Sequence, residues 1–371
     1  MSNSGRMICH GPRISALAAV VLINSTAMGN RGRLIAPGGL RDELAGVADD
    51  APVTGEPLAE LAAQYGLRPS SERPGLVSYL TKVWQRRHFI FAYATARNVS
   101  MYTEARLGQL WQVLTPLLNS AVYYLVFGVL FKANRGISNY TAFLVTGVFI
   151  FAFTERSIVT GSTVMRANMT LIRALHFPRA CLPLAYVLVE FQQLLLSMLV
   201  LFAIVLGTGE PLTWYWLLLV PTLVLQATFN VGAALIMARV GAGAQDISQL
   251  VPFLLRVWRY FCGVMYSIAS LPAELPEWAK NVLSFNPAAV YISLTRYAIM
   301  ASYRADAPGA KPYDAARCAL FNAKKIPSLQ AYCHPDISVS QLWLAGIGWA
   351  VVTLLLGVLY FWQAETRYGR G

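Results

Sequence analysis

The chain has 371 residues, of which 56% are hydrophobic and only 13% are charged. Soluble domains carry about a quarter charged residues, so this composition excludes an ordinary soluble protein and predicts a membrane protein. The net charge of +12 is the Lys and Arg excess expected beside membrane spans, and it requires no nucleic-acid partner. The sequence shows no Walker phosphate loop, Rossmann glycine fingerprint, His/Cys metal cluster or nucleophile elbow, so we expect no catalysis, metal or cofactor on this chain.

The first 66 residues are rich in Ala, Gly and acidic side chains and predict a poorly ordered cytoplasmic tail. Within them, "RISALAAVVLINSTAMG" (13–29) has the basic, apolar and small-residue order of a signal peptide. The alternative is a short apolar patch or a misassigned start. We favour that alternative, because cleavage would place the strongly basic residues that follow outside the membrane.

Residues 67–111 predict an amphipathic helix lying in the cytoplasmic membrane interface. Apolar side chains recur there at near-helical spacing among basic ones, which is typical of a helix on an anionic leaflet. The apolar set is Leu76, Tyr79, Leu80, Val83, Phe89, Ile90 and Tyr93. A soluble core helix is the alternative, but the sequence offers no second soluble domain to pack against it.

Six apolar segments follow, each close to the ~20 residues that cross a hydrocarbon core. They are residues 112–131, 140–162, 182–206, 211–238, 250–271 and 340–362. With both termini in the cytoplasm, the segments on that side hold most of the basic residues, as the positive-inside rule requires. The sequence therefore predicts an all-α, multi-pass protein of the plasma (inner) membrane with six transmembrane helices.

Residues 165–179 form a short basic, amphipathic piece between the second and third spans, on the cytoplasmic side of this topology. Leu171, Ile172, Leu175 and His176 sit one turn apart, whereas Arg166, Arg173 and Arg179 point elsewhere. A short helix could present this surface to a soluble partner. An interfacial loop that merely obeys the positive-inside rule explains the residues equally well.

Ionisable residues inside spans are costly and point to a specific role. Arg156 and Glu190 lie at similar depths in the second and third spans, so we predict an ion pair between them. We favour a role in holding the two helices together over a role in substrate contact.

Aromatic side chains are dense in the spans, and the apolar face of a sugar ring can lie on an aromatic ring. We therefore predict a glycan channel lined by such side chains, although core packing or a lipid-facing belt explains any single one. The candidates are Tyr123, Tyr124, Phe127, Phe149, Phe153, Tyr260 and Tyr266.

Residues 272–301 are too broken by proline to span and too apolar for an exposed loop, which predicts two short helices re-entering the membrane from the extracytoplasmic side. Residues 302–338 predict a polar extracytoplasmic loop. It contains Cys318 and Cys333, for which we favour a disulfide over two free thiols.

Three stretches together resemble the type-2 ABC transporter permeases, in that family's order: "LGQLWQVLTPLLN" (107–119), "NMTLIRALHFPRACLPL" (168–184) and "LSFNPAAVYISLTRYAIM" (283–300). The chain is most similar to the polysaccharide and O-antigen branch, including the actinobacterial galactan permeases. Residues 112–371 then form the transmembrane domain of this type.

The resemblance implies a permease homodimer bound to two copies of an ATP-binding subunit, which would hold ATP and Mg²⁺. Residues 165–179 become the coupling helix, stopped by Pro178, and the pair of short helices becomes an extracytoplasmic gate. The implied ATPase-coupling residues are Arg166, Asn168, Leu171, Ile172, Arg173, His176, Phe177 and Arg179.

The expected function is therefore ATP-driven export of a polyprenyl-linked polysaccharide by a non-catalytic permease subunit. The alternatives are an ABC-2 exporter of another amphiphile, such as a lipid or drug, and a secondary carrier, which should show internal repeats and midplane carboxylates. A membrane glycosyltransferase should show an acidic motif for a metal-bound nucleotide sugar.

Overall fold

A computed structural model of the chain describes residues 75–102, 106–130, 139–175, 177–266, 268, 276–300 and 339–365. Within these ranges the protein is helical and has no β-strand, which confirms the all-α prediction there. The predicted tail (1–66) and extracytoplasmic loop (302–338) lie outside them. The α-helices are α1 Leu76–Gln85, α2 Arg87–Ser100, α3 Trp111–Tyr123, α4 Tyr140–Ala167, α5 Met169–Ala174, α6 Cys181–Gly207, α7 Leu219–Gly243, α8 Gln245–Phe261, α9 Glu277–Ser284, α10 Pro287–Ile299 and α11 Val339–Gln363.

Four helical segments of the described chain are long and apolar enough to cross a membrane: α4, α6, α7 with the short 3₁₀ turn before it, and α11. They coincide with the predicted second, third, fourth and sixth spans. The helix α4 lies at the centre and packs against α6, α7, α8 and α10, whereas α11 packs mainly on α7 and exposes much of its surface. We call the end of the bundle at which α4 ends and α6 begins the base, and the opposite end the far end.

The predicted first and fifth spans have a different form. Residues 112–131 correspond to α3 followed by a π-helical segment, Tyr124–Leu130. The predicted fifth span, 250–271, is wrong in its bounds, because α8 begins at Gln245 and ends at Phe261. Gly263 lies shortly after that end with φ +63, a left-handed conformation that interrupts a helix and that glycine adopts readily.

The helix α2, which falls within the predicted interfacial segment 67–111, runs along α6. The Phe89 and Phe177 rings meet just before α6 begins, with centroids 5.4 Å apart. Further along both helices, Asn98 Nδ2 donates to Gln192 Oε1 (3.3 Å). Gln192 lies about 17 Å along α6 at 1.5 Å per residue. Polar side chains of α2 therefore pair with α6 well above the base.

The short helices α9 and α10 fall within the predicted pair at 272–301, of which residues 272–275 and 301 lie outside the described ranges. Asn286 begins α10 by accepting the backbone N–H of Ala288 (3.2 Å), and Pro287 occupies the first helical position, where its missing N–H costs nothing. Tyr291 donates its hydroxyl to the Gly346 carbonyl of α11 (2.9 Å). This pair therefore packs on the far-end half of α11.

The helices α7 and α11 pack with their backbones in direct contact. A Cβ added at Gly357 would overlap the Gly232 backbone, so neither helix tolerates a side chain at this crossing. Nearer the base, Arg239 of α7 donates to the Tyr360 carbonyl and lies over the Tyr360 ring. That carbonyl is one of the last of α11, which has no partner within its own helix. These contacts join α7 and α11 into one unit.

Candidate functional site

The short helix α5 forms a tight corner between two long apolar helices at the base. It begins one residue after α4 ends and finishes at Ala174, where Leu175 is already extended (φ −124, ψ 137). The predicted stop at Pro178 is therefore wrong, because the helix ends before the proline is reached. Thr170, Arg173 and Leu175 are exposed around this corner, with Leu175 50% exposed. An apolar side chain of this size beside an arginine is suited to contact with another protein.

Asn168 and Ile172, two of the other predicted coupling residues, hold the corner in place. Asn168 donates to the Val164 carbonyl (2.7 Å) and accepts the Tyr93 hydroxyl (2.8 Å), which ties the corner to α2. Ile172 is buried at 7% exposure. Leu171, Phe177 and Arg166 are only partly exposed, and His176 lies outside the described residues.

Directly after α5, a hydrogen-bonded cluster joins three separate parts of the chain; we call it the base cluster (Tyr79, Arg179, Ala180 and Glu365). Tyr79 donates its hydroxyl to Glu365 Oε2 (2.8 Å), and the Ala180 N–H donates to the Tyr79 hydroxyl oxygen (3.2 Å). The Arg179 N–H donates to Glu365 Oε1 (3.0 Å), and the Arg179 guanidinium donates to the Glu365 carbonyl. The cluster joins the α5–α6 loop to α1 and to the end of α11.

Burial raises the pKa of the Glu365 carboxyl, and the bonds from Arg179 and Tyr79 oppose that effect. Burial also raises the pKa of the Tyr79 hydroxyl, with a further contribution from Glu365. Sequence reasoning missed this cluster, because its members lie far apart along the chain. An acidic residue just after the last apolar segment was the available signal.

Among the described residues, two ion pairs cross the interior of the bundle. The structure brings the predicted pair together: Arg156 Nε lies 2.8 Å from Glu190 Oε2, with side-chain exposures of 31% and 5%. Their alignment makes this a charge contact without a well-directed N–H bond. The second pair, Arg259 of α8 with Glu155 of α4, was not predicted. Arg259 also donates to the Tyr123 hydroxyl, so it links α8, α4 and α3.

Arg296 is a further residue that the sequence interpretation missed. It is 3% exposed and donates to the carbonyls of Phe143, Gly263 and Val264 at 2.9–3.2 Å. A Cβ at Gly147 would lie 2.6 Å from the guanidinium, so the glycine makes room for it. Arg296 thus fixes α10 to α4 and to the chain that follows α8. The sequence feature that could have revealed it is an arginine within the apolar run "YISLTRYAIM".

The predicted channel aromatics fall into two groups. Phe149 and Phe153 are 1% and 0% exposed in the core, so they offer no surface to a glycan and the prediction for these two is corrected. The other five lie on α3, its π-helical extension, α8 and the segment after α8. Of these, Tyr124 and Tyr260 are 42% and 51% exposed, whereas Tyr123, Phe127 and Tyr266 are partly buried.

Two further predictions concern metal binding, which we do not expect, and a disulfide bond. The described ranges contain no group of three His, Cys, Asp or Glu residues that could hold a metal ion. Cys318 and Cys333 lie outside those ranges, so their disulfide stays a prediction.

Comparison with known proteins gives one consistent pattern. Residues 89–300 match the family described as "ABC-2 type transporter". The chain is 28% identical to the O-antigen export system permease protein RfbA of Klebsiella pneumoniae, over 52% of this chain and 72% of that protein. It is 24% identical to the protein of the same name in Myxococcus xanthus (57% and 80%). It is 27% identical to the polysialic acid transport protein KpsM of Escherichia coli (53% and 76%).

Proposed function

Because the chain belongs to the ABC-2 type transporter family, we propose that it is the transmembrane permease subunit of an ATP-driven exporter of lipid-linked polysaccharide. A homodimer of this chain would bind two copies of a separate ATP-binding subunit, which would hold ATP and Mg²⁺. The names of the relatives, O-antigen export permeases and a polysialic acid transport protein, support a polysaccharide as the substrate class. The chain would do no covalent chemistry itself.

The observation that carries this proposal is the exposed corner at α5. It lies between α4 and α6, so a force applied there acts on two long helices at once. Its inward side is fixed by Asn168 and Ile172, and its outward side presents Arg173 and Leu175. We assign the contact with the ATP-binding subunit to the outward side. The inward residues keep the helix in position and would not touch the partner.

We propose a six-span topology with both termini in the cytoplasm. The four long apolar helices supply four spans, and α8 supplies the fifth as a shorter, amphipathic helix. The remaining crossing, the first along the chain, is formed by α2 and α3 in succession. The helix α2 covers the lower part of α6, and α3 continues upward from the level at which Gln112 donates to Asn98 (2.9 Å).

The glycan path is assigned to the exposed face of α3 and α8. Both helices expose apolar side chains along much of their length, among them Leu118, Val122, Phe253 and Val257, and the π-helical segment after α3 adds Leu125. Tyr124 and Tyr260 are exposed among them and could stack on sugar rings. A second copy of the chain facing this surface would enclose the path between the two protomers.

Affinity purification from the native host in mild detergent tests the proposal. We expect a stoichiometric ATPase with a Walker motif to remain bound, and Arg173→Glu with Leu175→Asp to release it. Leu212→Asp is the matched control, because Leu212 is also exposed (72%) but lies at the far end, just after α6. Recovery of the wild-type chain alone and stable would contradict the proposal.

A further inference from the structure

The helix α11 contacts functional regions at both ends of the bundle. At the base it is followed two residues later by Glu365, which binds the loop after α5 through Arg179. Towards the far end, Trp349 Nε1 donates to the Phe285 carbonyl (2.8 Å), between α9 and α10, and Gly346 accepts the Tyr291 hydroxyl. One continuous helix of 25 residues, about 37 Å long, therefore connects the corner at α5 to the α9–α10 pair.

Close contacts with α7 make α11 a rigid connection between the two ends of the bundle. Its backbone is in contact with α7 at Gly357 and Gly232, and Arg239 holds its last turn. Guanidinium groups near a helix C-terminus bind its unpaired carbonyls and its negative dipole end, and Arg239 does so here at the Tyr360 carbonyl. The helix and its α7 partner would therefore move as one body.

The base cluster determines whether that body follows the corner at α5. Tyr79 is 3% exposed and bonds both Glu365 and the Ala180 N–H, so the carboxylate and the loop share one buried anchor. A partly buried carboxylate that accepts several hydrogen bonds holds its partners in one geometry, because displacement would leave the charge and its donors unpaired. A neutral amide at the same place would permit slippage at a smaller cost.

We propose that Glu365 is a positioning residue for transport: it locks the α5–α6 loop to α11, and α11 carries displacement of the corner to the α9–α10 pair. This inference rests on the proposed function, since it needs an ATP-driven partner at α5. It assigns to the last helix, which is otherwise largely exposed, the task of joining the ATPase contact to the far-end helices.

The test measures how much glycan moves for each ATP hydrolysed. The permease and its co-purified ATPase are placed in proteoliposomes with lipid-linked glycan extracted from host membranes. The variants are Glu365→Gln at the base, Trp349→Phe at the far end, and both together. Tyr79→Phe is a second base variant that removes one hydroxyl from the same cluster, in case Glu365→Gln folds poorly.

We expect ATPase binding and hydrolysis to stay near wild type in all variants, with an unchanged KM for ATP. Glycan moved per ATP should fall about fivefold or more in each single variant, the lower end of usual coupling energies. The double variant should move as much glycan per ATP as the more impaired of the two single variants, because both substitutions interrupt the same path.

Three results would overturn the inference: an unchanged glycan-to-ATP ratio, losses that multiply in the double variant, or loss of ATPase binding together with flux. The last would make the base cluster part of the docking surface. If the wild-type chain binds no ATPase, the proposed function itself fails, and this result is distinguishable because it appears before any substitution is made.

Discussion

The unequal exposure of the Arg156–Glu190 pair leads to a quantitative prediction. Glu190 is almost completely buried, with 5% of its side chain exposed, whereas 31% of Arg156 is exposed. Replacing Arg156 by Met leaves a buried carboxylate without its counter-ion, a change that costs about 3–5 kcal/mol in buried pairs. Replacing Glu190 by Gln leaves an arginine that can reach solvent or headgroups and retains a hydrogen-bond acceptor, so we expect a loss of about 1 kcal/mol.

The assay is equilibrium unfolding of the purified protein in mixed micelles, with increasing SDS and tryptophan fluorescence as the probe. Arg156→Met should lower the free energy of unfolding well below that of Glu190→Gln. The double variant should recover most of the loss, because it no longer contains a buried unpaired charge. Equal losses for the two single variants, or a double variant as unstable as Arg156→Met, would refute the reasoning. If stability behaves as expected and export by Glu190→Gln stays normal, the pair holds helices together and does not contact substrate.

Three further predictions concern other contacts. Gly357→Val should disrupt the α7–α11 crossing and abolish recovery of folded protein, while Gly348→Ala, whose Cβ would meet open space, should leave recovery unchanged. Arg296→Lys should destabilise the protein by about 2–3 kcal/mol in the same SDS assay, because one ammonium cannot replace a guanidinium fork that serves several carbonyls; a loss near zero would contradict this. The Glu365 carboxyl has a raised pKa when folded, so its contribution to stability is complete below about pH 4.3, its unfolded value, and decreases as pH rises through the folded pKa. The unfolding free energy of wild type relative to Glu365→Gln should therefore decrease from pH 4 towards neutral pH, and a constant difference would exclude this sign.

Much of the fold can be predicted from hydrophobic runs, because a residue of a span must be apolar whether it faces lipid or the core of the bundle. The four long helices and the short α9–α10 pair are visible in the sequence for this reason. The bounds of α8 are not, since Gly263 stops the helix inside a run that remains apolar. The path of α2 was also hidden, because its basic periodicity fits an interfacial helix and its polar contacts with α6 depend on tertiary packing.

The site shows the same limits. Arg156 and Glu190 could be paired from depth alone, because both stand out in apolar helices whose order was known. The base cluster joins residues 79, 179 and 365, and no local pattern connects positions so far apart. The aromatic residues of the predicted channel were the hardest to place from sequence, since Phe149 in the core and Tyr124 on the surface occupy similar apolar sequence contexts.

The most direct test of the central claim is ATP-dependent movement of glycan by the reconstituted permease and its co-purified ATPase. Lipid-linked glycan from the host is placed in the membrane of proteoliposomes, and a membrane-impermeant glycosidase or lectin reports the glycan that reaches the opposite side. The account predicts movement that requires ATP and disappears with Arg173→Glu and Leu175→Asp at the α5 corner. Hydrolysis of ATP without any movement of glycan, or movement that persists without ATP, would contradict it.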